Sequence, residues 1–128
     1  VKLLLDTHIW LWALHAPSRL NPRVRAELSN RTNELWLSPI STWEALLLNA
    51  KGRISLPAHL AEWVTQATAP LREAPFTHEI VLAAQQLPLP HRDPADRFLA
   101  ATAQVMDLTL VTSDDLLLGL GTFRTMRN

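Results

Sequence analysis

Short apolar runs at 2–5, 34–37 and 108–112 are each followed by a stretch with helical character. That alternation is the tightest constraint on the fold. A strand that gives way to a helix returns most simply as a parallel neighbour, so the pattern predicts an α/β architecture. Its centre is a mainly parallel sheet flanked by helices on both faces. With 128 residues, the chain is read as one domain spanning 1–128, long enough to bury a substantial core.

Local signals fill in the elements. THIWLWALH predicts a helix over 7–15 that is apolar nearly all round, hence buried or at an interface. A second helix is predicted over 22–30, with Asn21 as N-cap and Pro22 at the first helical position. SPISTWEALLLNAKG predicts a helix ending at Gly52, held to the core by Trp43, Leu46, Leu47 and Ala50. Further helices are predicted over 58–68 (Leu60, Trp63, Val64 and Ala67 on one face), over 77–86 (Ile80, Val81 and Ala84 in register) and in ADRFLAATAQVM. Short strands are placed at 71–75 and 122–126, and SDDLLLGL begins like a helix. The five tryptophans are read as core, except that Trp10 and Trp12 cannot face the same way on one helix.

Composition removes several function classes. No stretch reaches the roughly 18 apolar residues of a membrane span, and no signal peptide is visible, since the charge before the first apolar run is Lys2 alone. Without cysteine, disulfides and thiolate metal sites are excluded, and a cytoplasmic location fits. Acids and bases balance at twelve each, so net charge points to no polyanion; ten of the twelve bases, however, are arginines, suited to bidentate phosphate or carboxylate contacts.

Parallel sheets bind ligands at the carboxyl ends of their strands. Asp6 ends the first strand, and Asp114 follows LTLVT after Ser113. Glu44 borders the Leu47–Leu48 edge of its helix, while Asp96 shares a face with Leu99, Ala100 and Ala103. Each acid also has a plain structural reading. Asp6, Asp93 and the Ser113–Asp115 group sit where helix N-caps belong, Asp96 lies in a first turn, and Glu44 could face solvent. As a set they imply more. Two carboxylates 5 Å apart repel by about 3 kcal/mol at an effective dielectric of 20, and the chain has only Lys2 and Lys51 as lysines. An oxygen-bound divalent cation, Mg2+ or Mn2+, answers that repulsion. Zinc fits less well, because there is no cysteine and no compact histidine pair.

The order Asp6, Glu44, Asp96, Asp114 resembles the PIN-domain family, specifically the VapC-type toxins of bacterial type II toxin–antitoxin pairs. LLLDTHIWLWAL, STWEALLL, HRDPADRFLAATA and LTLVTSDD are similar to its four successive motifs, and the likeness runs from about 2 to 126. Ala95 departs from the bulkier residue usual in the third motif. The acid after LVTS is doubled, leaving Asp114 and Asp115 as alternatives for the fourth position. The resemblance implies a PIN-like fold and a metal-dependent endoribonuclease in which one or two ions activate water for attack on an RNA phosphodiester, leaving a 5′-phosphate and a 3′-hydroxyl. Asp6 and Asp96 would be the main metal ligands, with Glu44 and Asp114 completing the catalytic and metal-binding set.

Around these, Thr7 and Thr112 or Ser113 are expected to orient carboxylates. Arg97 either steadies an acid or touches a substrate phosphate. His8 and His91 are read as structural rather than as catalytic bases. A cognate antitoxin would lay a helix or extended tail near the acids with an arginine entering the pocket. A homodimer or larger toxin–antitoxin assembly, without membrane attachment, is implied by analogy. Other functions remain: a PIN-fold nuclease in RNA or DNA processing without an antitoxin, or a non-catalytic module, whose mark would be a broken acid set. A phosphoryl-receiver domain would need a late lysine, and none follows Lys51.

Overall fold

A computed structural model describes residues 1–89 and 93–128. Five strands, β1 (Lys2–Leu5), β2 (Glu34–Leu37), β3 (Arg72–Glu73), β4 (Thr109–Thr112) and β5 (Thr125–Arg127), form one sheet in the order β3-β2-β1-β4-β5. Every pairing is parallel; Leu4 is flanked by Trp36 on one side and Leu110 on the other. From β1 the chain builds outward through β2 and β3, then crosses back to lay β4 on the other side of β1. The reversal makes the β1–β4 junction the switch point of the sheet, where ligands of such folds bind.

The two faces follow from side-chain alternation along the strands. Leu3, Leu5, Leu37 and Val111 enter one core with Trp10, Val24, Ala45 and Trp63. Leu4 and Leu110 enter the other with Ile80, Ala84, Ala100 and Leu117. The first core is covered by α1 (Thr7–His15), α2 (Pro22–Ser29), α3 (Pro39–Ala50) and α4 (Leu60–Thr68), the second by α5 (His78–Gln86) and α6 (Pro94–Met106). A short α7 (Asp115–Leu118) follows β4. The predicted α/β class, the parallel sheet and helices on both faces are all present. Asn21 caps α2 through its bond from Val24 N–H. Gly52, just beyond α3, takes the left-handed conformation (φ 71°) that glycine tolerates at helix ends.

Several faces differ from expectation. On α3 the buried residues are Ser41 and Ala45, with Leu48 packed on the same core; Trp43 stands 58% exposed and Ala50 is exposed. Small residues win this face because α3 lies close against α1, near enough for Thr7 and Ser41 to hydrogen-bond. Bulky Trp43 is therefore turned outward, against its reading as core. Val81 on α5 and Leu60 on α4 are exposed as well. Helix α1 buries Thr7, Ile9, Trp10 and Leu11 but leaves Leu14 exposed, and Trp12 is only half-buried. Among the described residues no helix is long and apolar enough to cross a membrane.

Candidate active site

At the carboxyl ends of β1 and β4, five acids line one pocket: Asp6, Glu44, Asp93, Asp96 and Asp114. Three of them are held by helix starts. One carboxylate oxygen of Asp6 accepts from Thr7 N–H at 2.7 Å, Asp93 Oδ1 from Ala95 N–H at 3.0 Å, and Asp114 Oδ1 from Leu116 N–H at 2.9 Å. Exposed amides and helix dipoles favour negative charge at these N-termini. Capping and pocket-lining, posed as rival readings of the sequence, are here the same placement. Asp93, read as a cap, is that and also a fifth pocket acid; its position one turn before Asp96 was the available signal.

Two threonines fix the acids further. Thr112 Oγ1 donates to Asp6 Oδ2 at 2.6 Å and accepts from Asp114 N–H at 3.0 Å, so a single hydroxyl at the end of β4 ties two acid positions together. Thr7 Oγ1 lies 2.5 Å from Glu44 Oε1 and 3.0 Å from Ser41 Oγ. A hydroxyl has one proton and an ionised carboxylate can only accept, so Thr7 donates to Glu44 and receives the Ser41 proton. Both threonines thus hydrogen-bond carboxylates of the pocket. Ser113 lines the pocket, with its hydroxyl 3.3 Å from Asn128 Nδ2.

Other predicted positions lie elsewhere. Asp115 faces out and pairs with Arg127 at 2.7 Å, the carboxylate side chain 82% exposed. Among the described residues, the Arg97 guanidinium is held by backbone carbonyls rather than by an acid. Its Nη1 donates to Leu89 C=O at 3.1 Å and its Nη2 to Ala84 and Leu87 C=O at 2.9 and 3.0 Å, closing the carboxyl end of α5. Cations belong at helix C-termini, where carbonyls lack helical partners. His8, by contrast, lines the pocket and is exposed, its ring 5.8 Å from that of Trp12. His91 and Arg92 fall outside the described residues.

The electrostatics follow from crowding. Among the described residues that line the pocket, none is a lysine or arginine. Burial pushes the Asp96 carboxyl up to about 8, and Asp93, Asp6, Asp114 and Glu44 all add to the rise. Asp6 is raised by burial, against the pull of the Thr112 and Thr7 bonds. Burial also raises Glu44, opposed by the Thr7 hydroxyl. Near neutral pH a proton on Asp96 thus does what a cation would do, offsetting the mutual repulsion. The donor set is oxygen only, which suits a hard divalent ion. Among the described residues no three acidic or imidazole side chains are grouped tightly enough to hold an ion unaided, so water would complete its shell, as magnesium commonly requires.

The chain as a whole is similar to known proteins. A family profile described as PIN domain matches residues 3–118. Ribonuclease VapC22 of Mycobacterium tuberculosis is 32% identical over 113 residues, covering 88% of this chain and 86% of that protein. Among solved structures, VapBC2 from Rickettsia felis bound to a promoter DNA fragment superposes with a TM-score of 0.74 at 16% identity, covering 100% of this chain and 99% of that one. DNA-bound VapBC from Salmonella typhimurium gives 0.75 at 16% identity, with 99% and 98% covered.

Proposed function

Because the chain belongs to the PIN-domain family, we propose that it is a divalent-metal-dependent endoribonuclease, the toxin of a type II toxin–antitoxin pair. One observation carries this reading: Asp6, Glu44, Asp96 and Asp114, far apart in sequence, line one pocket at the switch point of the sheet. The named activity of the Mycobacterium relative supports RNA as substrate.

Asp6 and Asp96 would hold Mg2+ or Mn2+, with Glu44 and Asp114 completing the acidic set. When bound, the ion lowers the pKa of a water and offsets charge developing on the phosphate. The chain's own contribution is to hold the acids in place: Thr112 fixes Asp6, Thr7 fixes Glu44, and the start of α7 fixes Asp114. Purified wild type should cleave RNA with Mg2+ or Mn2+ and not with chelator. Asp6→Ala should lose roughly 100-fold or more, since groups that merely orient metal ligands are already worth 10–100-fold. A folded Asp6→Ala protein that cuts as fast as wild type would overturn the assignment. Between the paired acids, Asp114→Ala is expected to abolish cleavage and Asp115→Ala to spare it; a larger loss from Asp115→Ala would reverse the choice.

The antitoxin reading rests on the groove between α3 and α6. Its apolar wall includes Leu47, Leu48, Ala95 and Phe98; Glu44 and Asp93 border it beside the acid pocket, and Lys51 and Arg53 lie beyond the last turn of α3. That polarity suits a helix or extended tail carrying an arginine into the acids. The VapBC complexes among the structural relatives support such a partner.

A further inference from the structure

Of the two tryptophans that reach the surface near the pocket, Trp43 lies on apolar grooves either side of α3, whereas Trp12 lines the acid pocket itself. Trp12 sits one turn beyond His8 on α1, so the two side chains share a face, with the rings 5.8 Å apart. The Arg19 guanidinium, carried on the 3-10 turn Pro17–Arg19, lies over the Trp12 ring at 5.5 Å. From Asp6 outward the wall therefore runs carboxylate, imidazole, indole, guanidinium. Helical rise puts Trp12 about 9 Å along the α1 axis from Asp6. A strand with its scissile phosphate at the acids would pass this aromatic surface with a neighbouring nucleotide.

We propose that Trp12 is a substrate-positioning residue, a stacking platform for an unpaired RNA base next to the cleavage point, with Arg19 taking the adjoining phosphate. Acids alone repel RNA, and among the described residues that line the pocket there is no lysine or arginine to draw a phosphate in. The indole and guanidinium supply that attraction just outside the metal site. An indole stacks on any base, so the contact favours unpaired segments without fixing their sequence. Duplex RNA, whose bases are already stacked, cannot use it.

The inference rests on the ribonuclease reading, and the test separates the two. A single-stranded oligoribonucleotide and its duplex form are incubated with wild type, Trp12→Leu, Trp12→Phe and Arg19→Gln in Mg2+ or Mn2+. Binding of a non-cleavable oligodeoxynucleotide of the same sequence is followed by tryptophan fluorescence, and thermal unfolding checks each fold. Trp12→Leu should raise KM and Kd for the single strand roughly 5- to 100-fold, the range for losing one aromatic–base stack, while kcat changes far less. Trp12→Phe should recover most of the loss, wild-type fluorescence should be quenched on binding, and Arg19→Gln should weaken binding and its salt dependence. Failure of wild type to cut any RNA would strike the ribonuclease reading. Wild-type cleavage with unchanged KM in a folded Trp12→Leu protein would overturn the platform alone, as would an unchanged single-strand preference. Loss of antitoxin binding in Trp12→Leu with intact KM would assign the surface to a protein partner instead.

Discussion

Asp96→Asn is expected to make the metal-free protein more stable while abolishing cleavage. The sign comes from linkage. In the folded chain burial and four neighbouring acids hold the Asp96 proton to about pH 8, against an ordinary value of 3.8. Between those two values the unfolded chain has released a proton that the folded one keeps, so stability falls as pH rises through that window. Asparagine is neutral throughout and escapes the loss. At pH 4 the two proteins should melt together; near pH 8 the variant should be ahead by about 1–2 kcal/mol, a figure reduced from the full shift because water reaching Asp96 screens its neighbours. That is roughly 3–8 °C in Tm. Mg2+ or Mn2+ should then raise the Tm of wild type more than that of Asp96→Asn, narrowing the gap. A variant that melts below wild type at pH 8 without metal would contradict the electrostatic account.

The second large effect is structural. Arg97→Met is expected to cost about 2–4 kcal/mol, because several partly buried carbonyls at the end of α5 lose a charged donor at once. In urea unfolding this appears as a lower midpoint with an unchanged slope. Cleavage should persist wherever both proteins remain folded, since the guanidinium is committed to the α5 end. A stable Arg97→Met protein with no activity would return Arg97 to the catalytic machinery.

Sequence alone made much of this legible, for identifiable reasons. Short apolar strand runs and helices opened by Asn21, Asp93 or Asp6 carry their signals locally, so class and element order could be read directly. The acids could be grouped because each follows a strand or sits on an early helical turn, positions that the topology draws to one end of the sheet. What failed was the choice between faces of similar hydrophobicity. Leucines and a tryptophan surround α3, yet Ser41 and Ala45 face the core, because the approach of α1 decides the matter and periodicity holds no record of it. Arg97 was misplaced for a related reason. It directly follows a catalytic-type acid in sequence, but on a helix adjacent residues diverge by about 100°, and the helix end it serves lies ten residues upstream.

Asp6, Asp93 and Asp114 each commit one oxygen to launching a helix and turn toward the shared charge. Pocket and fold thus draw on the same side chains. Truncating any of the three to alanine removes a pocket acid and loosens a helix start together, so lost turnover in such a protein confounds two causes. Asparagine keeps an oxygen for the amide and deletes only the charge; a comparison of the two replacements at each position would reveal how far this fold and its reaction can vary independently.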